Sequence, residues 1–425
     1  MSLTAVYAKK ALIGEELQVL DDACILIEEE SIKEITTRKE FEASGREATI
    51  VYLGDKTVLP GMFECHNHLA LDARLPGHLD MMNQSECEHT LLALNGLKDD
   101  LMSGVTTARC LGDRNYIDVV LRNKIRENKV TGPDLLVCGI GMKGRHGHGY
   151  VGMPHSGVEE FRRTARENMF HGVDILKIFV TPGGAAVTPD EFIPCFISYD
   201  EIRTVVEEAK ALNIKTAAHC IGGKGLEYCV KAGIDVIEHV YSITPEQVKL
   251  VEEEHKGWID MTSGIVLDPE REPYCPPAAV QKTRAAREYS RQCMNQIYQS
   301  HKIRFTIGTD ANHSLLWREL VYAREGGATV LETLKAVTVN AAQMCGVEKR
   351  KGQLAVGLNA DVIAVDGNPL EDVTVLKDVS LVMKAGKIEN RIVSCCCRNE
   401  SSCDSSSFFR CMTKTCCNLK NYMLL

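Results

Sequence analysis

The chain has 425 residues and a formal net charge of −9, with 44% hydrophobic and 25% charged residues. That is an ordinary globular balance, able to bury a sizeable core. The acidic balance argues against nucleic-acid binding, and the lack of any apolar run of about 18 residues excludes a spanning helix.

The chain opens MSLTAVYAKKALIGEELQV, with no apolar h-region and no small-residue cleavage site, so no secretory signal is read and the expected location is the cytoplasm. Short strands separated by charged turns follow over residues 19–20, 23–27, 49–53 and 56–59, part of a small β-structure. From Gly61 the rhythm changes. Apolar runs at 104–110, 135–140, 174–180, 216–219, 236–240, 258–262 and 305–310 alternate with amphipathic stretches such as 199–212 and 244–254. Such βαβ alternation implies a parallel sheet. With the strand before His66 there are eight runs, so an α/β fold closed as a (β/α)8 TIM-type barrel over residues 59–345 is the economical solution. GQLAVGLNADVIAVDGNP and VSLVMKAGKI then return to short strands with Gly and Asn turns. Residues 1–58 and 346–393 are expected to pair as a small β-sandwich. Residues 394–425 form a Cys/Ser-rich tail that carries seven of the 18 cysteines and is expected to be poorly ordered. The other cysteines are scattered singly and read as small buried hydrophobes rather than a disulfide framework.

The chemistry begins at His66-Asn67-His68. Residues i and i+2 of a strand share a face, so two imidazoles at a strand's C-terminal end can aim at one metal. Lys177 stands inside an apolar strand, where a charge is costly to bury. Burial lowers its pKa, and a neutral amine can take up carbon dioxide to become an anionic carbamate that bridges two metals. His219, His239 and Asp310 end three further strands and are ordinary ligand types for zinc and similar ions. Each has a plainer reading alone: loop histidines, a lysine snorkelling to the strand end, satisfied core histidines. Their joint placement at strand ends favours a metal site.

This order resembles the amidohydrolase superfamily, in its subgroup with two metals and a carboxylated lysine. LPGMFECHNHL, GVTTARCLG, GRHGHG and TLKAVTVNAAQMCG…GQLAVGLNADVIAVDGNP are similar to successive family motifs. LKIFVTPGG and AAHCIGGKG resemble the branch of Xaa-Pro dipeptidases and imidazolonepropionase-like amidohydrolases, near enzymes that hydrolyse N-acyl amino acids, ochratoxin-type amidases included. Departures are Glu64 where aspartate is more usual, Arg145 where glycine is common, and the tail.

The resemblance implies that His66, His68 and Asp310 hold one divalent metal, His219 and His239 a second, and carboxylated Lys177 both, the metals being zinc. It makes Asp310 the acid–base group of an amide hydrolysis driven by a metal-bridging hydroxide. His146, in a Gly-flanked loop expected over the barrel mouth, is a candidate substrate contact; His148 is weaker, and His155 and His313 are read as loop residues. The turn Thr181-Pro182-Gly183-Gly184 is read either as a close backbone approach to a ligand or as a simple tight turn. The expected substrate is a small molecule, a dipeptide such as Xaa-Pro or an N-acyl amino acid. No nucleic acid or membrane is expected as partner, and a homo-oligomer is allowed. Rival readings are a cyclic-amide hydrolase or deaminase of the imidazolonepropionase type, and a non-catalytic amidohydrolase-fold scaffold. A deaminase usually places a glutamate three residues after the His219 position, where this chain has Gly222.

Overall fold

In the computed structural model, strands β1 (Leu3–Ile13), β2 (Gln18–Glu28), β3 (Ser31–Thr37), β4 (Thr49–Tyr52) and β5 (Thr57–Pro60) come first. Next come β6 (Met62–Asn67), β7 (Val105–Cys110), β8 (Asp134–Leu136), β9 (Met142–Gly144), β10 (Met153–His155) and β11 (Ile175–Phe179). Then follow β12 (Lys215–Cys220), β13 (Val236–His239), β14 (Trp258–Met261), β15 (Phe305–Ile307), β16 (Val362–Val365), β17 (Val379–Lys384) and β18 (Lys387–Arg391). The structure describes residues 3–391 except Leu79 and Tyr150, so the Cys/Ser-rich tail lies outside the described residues.

Strands β6 to β15 fall into two all-parallel arrays, β6-β7-β8 and β10-β9-β11-β12-β13-β14-β15, so the fold is α/β with parallel sheets. Parallel strands are covered on both faces and need continuous apolar sequence; every residue of β11, ILKIF, is buried. Backbone bonds link the arrays at both margins. Asp174 N and Ile175 N donate to Val137 O at 2.8 and 3.2 Å, and Asp310 N donates to His66 O at 2.8 Å. The connecting helices are punctuated as their sequences dictate. Tyr199–Ala211 starts from a Ser198/Glu201 capping box, and Pro245–Glu254 from Thr244 with proline in its first turn.

The first five strands and the last three described strands build one continuous mixed sheet, ordered β18-β17-β16-β5-β1-β2-β3 with β4 also on β1. The seam is antiparallel, with Leu59 opposite Ile363. Val6, Ile25, Val58, Val362 and Leu381 share its core.

Three details differ from the sequence reading. β1 and β3 lie outside the expected runs: Lys9-Lys10 interrupts the alternation of β1, and Lys33-Glu34 that of β3. The run over 135–140 stops at Leu136, because Asp118 Oδ2 captures the amides of Cys138 and Gly139 at 3.1 and 2.8 Å and peels the backbone off the ladder. The loop beyond it forms β9 and β10, so ten parallel strands are present where eight were expected. All eleven cysteines among the described residues are free thiols. No helix of the described residues is long and apolar enough to cross a membrane.

Candidate metal centre

The parallel arrays deliver the six singled-out residues to one end of their strands. His66 is the penultimate residue of β6 and His68 lies just past it, Lys177 lies within β11, His219 and His239 near the ends of β12 and β13, and Asp310 three residues after β15. The ring centroids of His66 and His239 are 4.6 Å apart, those of His219 and His239 4.5 Å, and those of His66 and His68 5.4 Å. Donor atoms of His66, His239 and Asp310 lie within 4.8 Å of one another. Two of these residues hold unusual backbone: φ is 82° at His239 and 54° at Asp310, in the left-handed region that non-glycine residues rarely occupy. Asp310 can turn there because Gly308 sits against β6; a Cβ at Gly308 would stand 2.3 Å from His66 N.

Each imidazole has one nitrogen engaged away from the centre. His66 Nδ1 meets Glu238 Oε2 at 2.8 Å, His68 Nδ1 meets Gly112 O at 2.8 Å, and His239 Nδ1 meets Thr262 Oγ1 at 2.7 Å. For His219 it is Nε2 that meets Pro182 O at 2.9 Å, which leaves Nδ1 as the free nitrogen. A nitrogen that donates outward leaves its partner as a lone-pair acceptor. Burial pushes His66 and His68 down to about 4, and His219 and His239 well below 6.5, so near neutral pH all four rings are uncharged. Burial alone would raise the Asp310 carboxyl, but His66, His68 and Lys177 outweigh it and hold it at about 2.

The central atoms therefore oppose one another. Asp310 Oδ1 stands 3.6 Å from His66 Nε2 and 3.4 Å from His68 Nε2. Three acceptors converge with no proton of their own to share, which is the donor set a cation satisfies. Lys177 Nζ is fully buried, 3.5 Å from His66 Nε2, and burial pushes its ammonium pKa down. The donor set of His66, His239 and Asp310 fits a metal ion. A second acidic group, His66, Glu238 and Asp260, already contains a cation: Arg109 Nη2 lies 2.9 Å from Glu238 and 3.5 Å from Asp260.

The loop histidines separate. His146 is exposed, its ring 5.5 Å from that of Phe196. His148 instead packs 4.8 Å from the His219 ring, and only a glycine at 183 admits it, since a Cβ there would stand 2.2 Å from His148 Cε1. Arg145 turns outward to Ser156 and Glu160. His155 lies in β10 and bonds Met153 O and Thr164. His313, read as a loop residue, is buried against Asp100.

Sequence reasoning missed the layer beneath the centre. Glu64 Oε1 accepts from His66 N at 2.8 Å and Thr309 N at 2.9 Å, tying β6 to the segment that leads to Asp310. Arg109, Glu238 and Asp260 are buried in β7, β13 and β14. The signal was present: a charged residue inside TTARC, VIEH and WIDM is the same anomaly that singled out Lys177.

A family model described as the amidohydrolase family matches residues 57–388. The ochratoxinase of Aspergillus niger is 25% identical, over 91% of this chain and 86% of that protein. Among solved structures, a prolidase complexed with N-methylphosphonate-L-proline superposes with a TM-score of 0.80 at 26% identity, covering 92% of this chain and 100% of that one. A Xaa-Pro dipeptidase with bound methionine gives 0.77 at 25% identity with the same coverage.

Proposed function

Because the chain belongs to the amidohydrolase family and is a hydrolase acting on carbon–nitrogen bonds, we propose that it cleaves an amide bond in a small molecule at a centre of two divalent metals, with zinc the expected ion. The single observation that carries this reading is the convergence of the inward acceptors of His66, His68 and Asp310 beside buried Lys177. In this reading His66, His68 and Asp310 hold one metal, His219 and His239 the other, and Lys177 both. The lowered Lys177 pKa favours a neutral Nζ, whose lone pair adds to carbon dioxide, with release of one proton, to give a carboxylated amine. Bound metals would supply acidification of a water and polarisation of the scissile carbonyl.

The chain's own residues do the rest. Asp310, held ionised, accepts the proton of the attacking water and returns it to the leaving amine, which departs poorly without one. His148, not His146, is the loop histidine beside His219 and is assigned the contact to the substrate carbonyl. The ochratoxinase and dipeptidase relatives support an N-acyl amino acid or a dipeptide such as Xaa-Pro as substrate class. The same reading takes β6 to β15 as a closed barrel over 59–345, supported by the bonds at both margins, and residues 1–58 with 346–393, of which 392–393 lie outside the described residues, as a small β-sandwich.

The test combines elemental analysis with a library of dipeptides and N-acyl amino acids, scored for free amino acid and free ammonia. About two metals per chain and amino-acid release are expected. Ammonia release from heterocycles without amide cleavage would replace this reading by the deaminase one.

A further inference from the structure

Asn67, between the two histidines of the centre, opens onto a second buried polar cluster. Its Nδ2 donates to Asp100 Oδ2 at 2.8 Å, from β6 to the helix Glu86–Met102. Asp100 Oδ1 accepts from Ser314 N at 3.0 Å, and Oδ2 meets His313 Nδ1 at 2.9 Å. The other ring nitrogen of His313, Nε2, meets Leu71 O at 3.0 Å. His313 and Asp100 are each 1% exposed. The helix makes room for the ring at Gly96, where a Cβ would stand 2.6 Å from His313 Cε1.

These partners fix the protonation of His313. A carbonyl only accepts, so Nε2 must donate. With Asp100 a carboxylate, which only accepts and already does so from Asn67 and Ser314, Nδ1 donates as well. An imidazole that donates from both nitrogens is an imidazolium. The charged groups facing it are Asp100, Asp72 and Asp113, which favour its charge, and Arg74, which opposes it. Arg74 is itself held by Asp72 and Asp99, each at 2.7 Å. His313 is therefore the cation within hydrogen-bond reach of buried Asp100, and without its charge that carboxylate would be left unpaired. Burial alone would lower the ring's pKa; Asp100 raises it to about 9.

We propose that His313 is a positioning residue, a standing imidazolium that clamps the loop carrying Asp310 to the strand end carrying His66 and His68 and so sets the spacing on which metal retention depends. The inference rests on the metal-centre reading above. The clamp joins three segments that meet nowhere else in sequence: residues 67–74, the helix bearing Asp100, and residues 310–314. Arg74 reinforces it through His313 O at 3.0 Å and Ser314 Oγ at 3.2 Å, and Ala73 N bonds Ala311 O at 2.9 Å. His313 touches none of the six centre residues; it acts through the chain on either side of them.

Two measurements test this. In nitrogen-15 NMR of the wild-type protein, the imidazole signals absent from His313→Gln should show both ring nitrogens protonated at about pH 8, losing a proton near pH 9. A neutral ring at that pH overturns the proposal. The second is the rate of metal loss to a chelator. Near neutral pH His313→Gln should lose metal about 10- to 100-fold faster than wild type, the factor a hydrogen bond to a charged group is worth. Towards about pH 10 that ratio should fall to about one, because the wild-type ring loses its charge there too. A ratio independent of pH would mean a packing role alone and overturn the proposal. If His313→Gln does not fold, the NMR titration of wild type, assigned by selective labelling, still decides. Wild-type protein that takes up no metal overturns the metal centre and this role together. Metal-loaded protein with a neutral His313 overturns this role alone.

Discussion

Glu238→Ala is the sharpest perturbation of the layer beneath the centre. It removes the acceptor 2.8 Å from His66 Nδ1 and both contacts, at 2.9 Å, with Arg109 Nη2. Arg109 is 3% exposed and cannot turn to water. Breaking a buried ion pair from one side costs about 3–5 kcal/mol. Here Asp260 stays 3.5 Å from the guanidinium with an oxygen lacking any hydrogen-bond partner, which places the cost near the lower bound, about 3 kcal/mol. An unfolding entropy of about 2 cal/mol/K per residue, over the compact unit Met1–Arg391, gives roughly 0.8 kcal/mol/K, so Tm should fall by about 4 °C. With its 2.8 Å acceptor gone and only Asp260 Oδ2, 3.7 Å away, left near Nδ1, the His66 ring is less firmly held in its tautomer, and metal affinity should fall about 10- to 100-fold. Calorimetry of the metal-free protein reads the first effect and chelator competition the second. An unchanged metal affinity, with Tm within about 1 °C of wild type, would refute the reasoning. Glu238→Gln, which keeps an acceptor oxygen, should fall between.

Lys177→Ala should abolish activity and the bridging group, with partial rescue by small carboxylic acids; wild-type turnover in this variant would dismiss the carboxylated lysine. Asp310→Asn should lower kcat/KM on amides by about 10²–10⁴ and on activated esters by less, since an alcohol leaves without the proton that an amine needs. Gly308→Ala should lower metal content and cost about 1–3 kcal/mol, because its methyl would meet the His66 backbone rather than a side chain that can swing aside. Acid should destabilise the metal-free protein in a defined window. The folded pKa of His66 and His68, about 4, lies below the unfolded value of 6.5, so their contribution is complete above pH 6.5 and is lost as pH falls towards 4. Urea titrations across that window should show the loss; a flat response would mean that these rings are not buried neutral.

How much of this was legible in the chain depended on what each residue's neighbours in sequence could say. His66, His68, Lys177, His219, His239 and Asp310 were picked out because each is a polar residue in or just after an apolar strand run, and such runs are readable one at a time. In GRHGHG the sequence favoured His146 over His148, whereas it is His148 that packs beside His219 and His146 that lies against Phe196, neighbours the sequence does not place beside them. The Asp100–His313 pair was illegible for the same reason: 213 residues separate its members. Short apolar runs found most strands but missed β3, β9, β10 and β1, the last because its two lysines break the pattern while its remaining residues pair in register with β2.

The seam between β5 and β16 also has a consequence in time. Lys56 and Asp366, bonded at 2.6 Å beside that seam, are 310 residues apart. A ribosome adding about 5–20 residues per second completes β5 tens of seconds before β16 exists. Until then the first five strands carry an open apolar edge, with Leu59 and Val58 awaiting Ile363 and Ala364. An open edge of this kind is a template for pairing with other chains. Nascent chains stalled before residue 362 should therefore be the aggregation-prone species of this protein, and a fragment supplying residues 360–391 in trans should relieve it.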